Sequence, residues 1–255
     1  MERSRLSIRA LVVLASELGA EHLFGVRDPF MMMDHEEIRA AYEVCLEELE
    51  QSGAITRQFE GAAIVRGDLR RLIEICAECD LYLTVDAVTC GQAEPSVVLY
   101  RQGSCWAQLT KDGELASLTG AADGEIEELA LARLECCKAQ EAPEAQTHWS
   151  LTNELLQHCL KDTDAGRAEL LAAGMPEDAA ALLLAGLERR CGYCCVNTVH
   201  LQTRTLESLC LVYDSDMLLR LEPGEEETED WIVRRSTPEQ IRRTLRALVR
   251  EGAPQ

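Results

Sequence analysis

The second half of this chain repeats the pattern of apolar residues found in the first. Residues 98–100 (VLY) and 106–109 (WAQL) are matched by 211–213 (LVY) and 218–221 (LLRL), each pair separated by a short polar break. Each half then closes with a helix-like stretch, whose matching residues are Ile126, Ala130 and Leu134 in the first half and Ile241, Leu245 and Val249 in the second. Such a repeat predicts two like halves related by a pseudo-two-fold axis, an arrangement more typical of a binding scaffold than of a catalytic cleft.

The boundary between the halves is predicted from a polar segment. Residues 138–148 (KAQEAPEAQTH) carry a proline and show no periodicity, which is typical of a linker. We therefore expect an N-terminal α/β half at 1–137 and a C-terminal α/β half at 149–255. Aromatic residues make up only 4% of the chain, so Leu, Ala and Val must fill the core. This favours an α+β fold of two pseudo-symmetric halves, each with helices and a four-strand antiparallel meander, around a central antiparallel sheet.

Several elements can be placed from local patterns. Asp34 and Glu37 have the spacing of a capping box, which predicts the start of a helix. Gly53 can adopt the left-handed conformation that often ends a helix, so a helix is expected between them. Strict alternation predicts a half-buried strand whose inward side chains are Leu81, Leu83, Val85 and Ala87. The second half is expected to begin with a helix whose buried stripe is Leu151, Leu155, Leu156 and Cys159.

The charge of the chain restricts its partners. The sequence has 45 acidic and 25 basic residues, a net charge of −20, which repels the phosphates of nucleic acids and of anionic membranes. Residues 34–65 nevertheless resemble a winged helix, which leaves a winged-helix DNA-binding transcriptional regulator as the alternative function. Seven acids and one arginine lie between Asp34 and Ser52. This acidity opposes a DNA-reading role and favours a segment used for packing or protein contact.

Two C-x-x-C pairs form the candidate metal site. Cys76 and Cys79 are each 115 residues from their matches, Cys191 and Cys194. Four thiolates in two such pairs can hold a structural zinc ion. Both pairs, however, stand where a predicted helix runs into a strand rather than on a knuckle-like turn. Buried free thiols are therefore the favoured interpretation, zinc remains the alternative, and no cofactor is expected.

The sequence lacks the motifs of common enzymes and of membrane segments. It contains no glycine-rich phosphate loop, no nucleophile elbow and no H-E-x-x-H, so we expect a protein that is not an enzyme. No run approaches the roughly 18 apolar residues that span a bilayer. Near the N-terminus, Glu17 interrupts the apolar run that begins at Leu11. This pattern is typical of an amphipathic helix rather than of a secretory signal. A reduced, cytoplasmic protein without membrane insertion is the expectation.

The order of patterns in the second half resembles a known family. A Leu-rich helix at 151–160 precedes 170–176 (LLAAGMP), a second helix at 179–187, a four-strand meander, and 236–241 (STPEQI), which opens the last helix. This order is similar to that of the EspG family, cytosolic chaperones of type VII secretion systems, and as a pattern it extends over most of the chain. The resemblance implies two similar α/β halves around a central antiparallel sheet. It also implies binding to the exposed apolar tip of a helical secreted effector or small helical secretion substrate.

The candidate contact residues are chosen from the predicted geometry, since the resemblance supplies no motif for them. The connection at 90–96 and its counterpart at 203–207 follow matching strands of the two halves. Within them the candidate partner-binding residues are Gln92, Pro95, Thr205 and Leu206.

Overall fold

The computed structural model describes residues 4–58, 63–89, 91–122, 124–132, 137, 148–224 and 230–250. The chain divides into two compact units. The first comprises Met1–Thr84, Pro95–Asp123 and Val199–Thr205, and the second comprises Val85–Glu94, Gly124–Thr198 and Leu206–Gln255. Both units combine helices with antiparallel strands, which confirms the predicted α+β class.

The elements alternate between short runs of helix and longer runs of strand. Up to residue 132 they are β1 (Ser4–Ser7), α1 (Ile8–Glu17), α2 (His35–Gln51), β2 (Ile55–Arg57), β3 (Ala63–Val65), α3 (Gly67–Ala77), β4 (Leu81–Thr89), β5 (Gln92–Ala93), β6 (Ser96–Gln102), β7 (Cys105–Asp112), β8 (Leu115–Ala121) and α4 (Glu125–Ala132). From residue 148 they are β9 (His148–Thr152), α5 (Asn153–Lys161), α6 (Thr163–Ala172), α7 (Glu177–Leu187), β10 (Gly192–His200), β11 (Thr205–Tyr213), β12 (Leu218–Pro223), β13 (Asp230–Arg235) and α8 (Pro238–Arg250).

The strands of each unit follow a simple order. In the first unit the order is β1-β8-β7-β6-β4, and in the second it is β4-β10-β11-β12-β13-β9, so β4 contributes residues to both. Strand β5 pairs back onto β4, while β2 and β3 form a separate hairpin. Among the described residues each half therefore reads as an outer strand, three helices, four meandering strands and a closing helix. The first half adds β2, β3 and β5 to this order, and the internal duplication stays a prediction.

Two tyrosines mark the matching positions of the halves. Tyr100 on β6 and Tyr213 on β11 close the repeated apolar runs, and both side chains are fully buried. The Tyr100 hydroxyl donates a hydrogen bond to the carbonyl oxygen of Phe24 at 2.6 Å, which satisfies its polar end inside the core. The repeated pattern of apolar residues thus corresponds to buried strand residues in both units.

Helix α2 begins and ends as its sequence predicts. The Asp34 carboxylate accepts hydrogen bonds from the backbone N–H groups of Glu36 and Glu37, both at 2.9 Å. The Glu37 carboxylate in turn accepts from the N–H of Asp34 at 3.0 Å, which completes the capping box. At the other end Gly53 has φ of +71°, a left-handed conformation that favours glycine.

The start of the second half differs from the sequence prediction. Leu151 was expected on a helix but lies in β9, where it pairs with Trp231 of β13. The helix begins only at Asn153, because the Thr152 hydroxyl caps the N–H of Leu155. His148, the last residue of the predicted linker, is the first residue of β9, and 138–147 lie outside the described residues.

Glycines allow two close contacts between elements of the second unit. A Cβ atom on Gly186 of α7 would lie 2.3 Å from a methyl carbon of Val212 on β11. A Cβ atom on Gly166 of α6 would lie 2.6 Å from the Cα atom of Cys159 on α5. Because real Cβ atoms do not approach other heavy atoms this closely, only glycine permits the observed packing.

Candidate protein-binding surface

The first predicted connection forms a tight turn after β4. Thr89 and Gln92 pair across the turn, and the N–H of Glu94 donates to the carbonyl oxygen of Ala87 at 2.9 Å. Gln92 and Pro95 are exposed, as predicted for contact residues, although their binding role stays a prediction. Cys90 lies outside the described residues.

The second predicted connection joins β10 to β11. Its residue Arg204 has φ of +56°, and the hydroxyls of Thr203 and Thr205 are hydrogen-bonded at 2.8 Å. Both features fix the shape of the turn. Leu206, the second residue of β11, is 67% exposed. This turn therefore presents one apolar side chain on a defined hairpin.

The two connections lie at opposite ends of β4. The N–H of Leu201, which follows β10, donates to the carbonyl oxygen of Asp80 just before β4, at 3.0 Å. At the far end, a Cβ on Gly91 would lie 3.9 Å from the carbonyl oxygen of Arg189, which precedes β10. The nine residues of β4 separate these ends by roughly 30 Å at about 3.3 Å per residue. The structure thus brings Thr205 and Leu206 together, and separately Gln92 and Pro95, but does not bring all four into one patch.

An exposed pair of methionines in the first unit was not foreseen. Met31 and Met32, between α1 and α2, are 61% and 88% exposed. Phe30 beside them is half-buried against the core. Its backbone N–H donates a hydrogen bond to the carboxylate of Asp28 at 2.8 Å. The signal in the sequence is the run of three methionines that follows Asp28-Pro29-Phe30. Flexible thioethers of this kind adapt to differently shaped apolar partners.

The surface of α2 is acidic, as the sequence indicated. The exposed carboxylates on this helix belong to Glu36, Glu37, Glu43, Glu47 and Glu50. Arg57 of the β2–β3 hairpin is engaged by two of them, Glu43 at 3.5 Å and Glu50 at 3.8 Å. A helix with this charge would be repelled by a phosphate backbone, so the winged-helix-like segment gives no support to a DNA-binding role.

The two C-x-x-C pairs do not occupy matching places. Cys76 lies within α3, whereas Cys191 follows the end of α7, so the shared offset in sequence is not a shared position in the fold. Burial raises the pKa of Cys76 well above its usual value and that of Cys79 to about 12. Burial therefore disfavours the thiolate form of both residues in the metal-free chain. In the described part of the chain, no group of three or more Cys, His, Asp or Glu side chains is arranged to hold a metal ion.

A cavity of about 260 Å³ lies in the first unit. It is lined by the segment after α1 and by the last turns of α3, including Glu21, His22, Glu74 and Glu78. Its volume is smaller than the roughly 300–1,000 Å³ of pockets that enclose drug-sized ligands. The cavity carries no arrangement of nucleophile and base within hydrogen-bonding distance among these residues, and we assign it no chemistry.

Comparison with known proteins identifies the fold. No family model matches the sequence, and no curated protein matches it. By structure, the chain is similar to the Mycobacterium tuberculosis type VII secretion system chaperone EspG5, which was solved in complex with the PE25-PPE41 dimer. The match covers 99% of this chain and 97% of that chain, with a TM-score of 0.68 and 13% sequence identity. The chain has an EspG-like fold. This EspG-like chain contains, in its described residues, no helix long and apolar enough to cross a bilayer.

Proposed function

We propose that this EspG-like chain is a cytoplasmic, non-enzymatic chaperone or adaptor that covers the apolar tip of a helical type VII secretion substrate. The observation that carries the proposal is the end-to-end structural match to a secretion chaperone that was captured with a PE25-PPE41 dimer. A match that covers nearly all of both chains preserves the whole scaffold, including the two halves on which a partner surface would be built.

The exposed side chains supply a chemical basis for such binding. Leu206 offers an apolar anchor, and the fixed hairpin that carries it loses little conformational freedom when a partner binds. The end of a helical hairpin with an uncovered apolar patch aggregates in water, and an apolar contact of this kind would cover it. Gln92 and Pro95 at the other end of β4 remain secondary contact candidates. The net charge of −20 favours a partner whose contact region is neutral or basic.

Co-expression tests the proposal directly. The full chain would be produced together with the small helical type VII secretion substrates of its own host, and complexes would be isolated by size-exclusion chromatography. We expect one substrate to elute with the chain and to stay soluble only in its presence. If every such substrate is equally soluble with and without the chain and none co-elutes, the proposed function is wrong.

We predict that Leu206→Asp weakens the substrate complex by roughly 10- to 100-fold, because a charge at the anchor position opposes apolar contact. The measurement is the dissociation constant by isothermal titration calorimetry. Leu160→Asp is the matched control, since Leu160 on α5 is also exposed (52%) but lies outside both connections. Equal affinities for the two variants would remove Leu206 from the binding surface.

A further inference from the structure

Two cysteines on neighbouring strands of the second unit have sulfur atoms in close contact. The Sγ atoms of Cys195 on β10 and Cys210 on β11 are 2.9 Å apart. The neighbouring contacts of thiols with oxygen acceptors are longer, 3.6 Å from Cys191 to Gly192 and 3.8 Å from Cys195 to Asn197.

The strand register keeps the two thiols opposite one another. Two residues closer to the turn on each strand, the Ser208 hydroxyl donates to the side-chain oxygen of Asn197 at 2.8 Å. Cys195 and Cys210 are therefore a directly opposed cross-strand pair. The Cβ atoms of such pairs lie about 4.5–5.5 Å apart, and those of a disulfide about 3.5–4.5 Å apart. For a bond to form, the sulfur atoms must approach from 2.9 Å to about 2 Å, a movement of less than about 1 Å.

The surroundings make one of the thiols reactive. The hydrogen bond with Cys210 lowers the pKa of Cys195 from its ordinary value, with further lowering by Tyr193 and Asn197 against the opposing effects of burial and of Asp86. The same hydrogen bond, followed by burial, raises the pKa of Cys210. Both residues are only partly buried, in contrast to the neighbouring Cys194. An accessible thiolate beside a second thiol is the arrangement found in redox-active cysteine pairs.

We propose that Cys195 and Cys210 form a reversible disulfide that joins β10 to β11, a redox site separate from the proposed chaperone function. The oxidant is a low-molecular-weight disulfide. The Cys195 thiolate attacks one of its sulfur atoms, forms a mixed disulfide and releases one small thiolate. Cys210 then loses its proton and attacks the Cys195 sulfur, which releases the second small thiolate. Two electrons pass from the two protein thiols to the reagent, and the product is one protein disulfide and two small thiols.

The C-x-x-C pairs, which the sequence brings forward as the obvious thiol sites, lack these properties. Cys76, Cys79 and Cys194 are buried, and burial raises the pKa of the first two. Cys191 is partly buried, but burial raises its pKa as well, and its Sγ contacts the carbonyl oxygen of Leu182 rather than a thiol. These cysteines therefore serve as internal comparisons in the test.

The experiment treats the reduced full chain with oxidised glutathione at pH 7.5 and maps disulfides by non-reducing peptide mass spectrometry. We expect Cys195–Cys210 to be the main linkage, with a loss of about 2 Da that dithiothreitol reverses. In Cys210→Ser the reaction should stop at a glutathione adduct on Cys195, whereas Cys191→Ser should behave like the wild type. A wild-type protein in which these two cysteines stay reduced, or link to other cysteines instead, would overturn the proposal, and that result does not depend on any variant.

Discussion

The Gly186→Val variant is expected to lose about 3 kcal/mol of its free energy of unfolding, because overpacking a tight contact distorts side chains and backbone. Even the Cβ atom of the new side chain would lie 2.3 Å and 2.6 Å from the two methyl carbons of Val212 and 3.1 Å from its Cβ. The Cβ of Val212 belongs to strand β11 and cannot rotate away. Helix α7 must therefore move off the sheet of its unit. Urea denaturation followed by tryptophan fluorescence measures the loss, since Trp149 and Trp231 both lie in the second unit and Trp106 in the first.

Two further variants separate this cause from a general effect of valine. Gly67, the first residue of α3, has no heavy atom near its Cβ position, so Gly67→Val should change stability by no more than about 0.5 kcal/mol. In the double variant Gly186→Val with Val212→Ala, the loss in free energy of unfolding should be smaller than the sum of the two single losses by about 1 kcal/mol or more. The reason is that the smaller alanine side chain makes room for the new valine. Strict additivity would show that α7 does not pack here as described.

The second large effect is expected for Leu245→Ala, with a loss of about 3 kcal/mol, within the roughly 2–5 kcal/mol that such core truncations cost. Helix α8 is rich in arginine, and its side chains Ile241 and Leu245 are fully buried. The helix packs against α4 of the same unit. Leu248 and Val249 on the same helix are only partly buried, so Ile241 and Leu245 are its most deeply packed apolar residues. Removing part of Leu245 leaves a cavity beneath the helix.

The control for Leu245→Ala is the same substitution at an exposed leucine. Leu160→Ala on α5 should change the free energy of unfolding by less than about 0.5 kcal/mol. Urea denaturation followed by circular dichroism compares the two variants under identical conditions. A Leu245→Ala protein as stable as Leu160→Ala would mean that α8 is not anchored through this side chain.

Much of the fold followed from local patterns that have a single interpretation. The capping box at Asp34 and the glycine at 53 set the limits of α2, and alternation placed Leu81, Leu83 and Val85 on the buried face of β4. The outer strands β1 and β9 were missed. Each is short and runs directly into a helix, and Leu151 and Leu155 share the i, i+4 spacing of a helix face although only the second is helical.

The candidate site was less accessible from the sequence, because it depends on which strands are neighbours. The positions of Gln92 and Leu206 at opposite ends of β4 follow from the adjacency of β4 and β10, which no local pattern specifies. The pairing of Cys195 with Cys210 required the register of a hairpin whose turn, 201–204 (LQTR), carries none of the glycine or asparagine signals that fix register. The sequence instead drew attention to the two C-x-x-C pairs. These pairs share an offset of 115 residues but do not lie at equivalent places in the two halves of the fold.

The outermost strands of the two units bear on how this protein behaves at high concentration. An open strand edge can template the addition of another chain and so seed fibrils, unless it is short or guarded by polar groups. Strand β1 has four residues and carries exposed Arg5 paired with Asp112, and β9 has five residues whose outward side chains are His148, Ser150 and Thr152. Both borders thus discourage polymerisation.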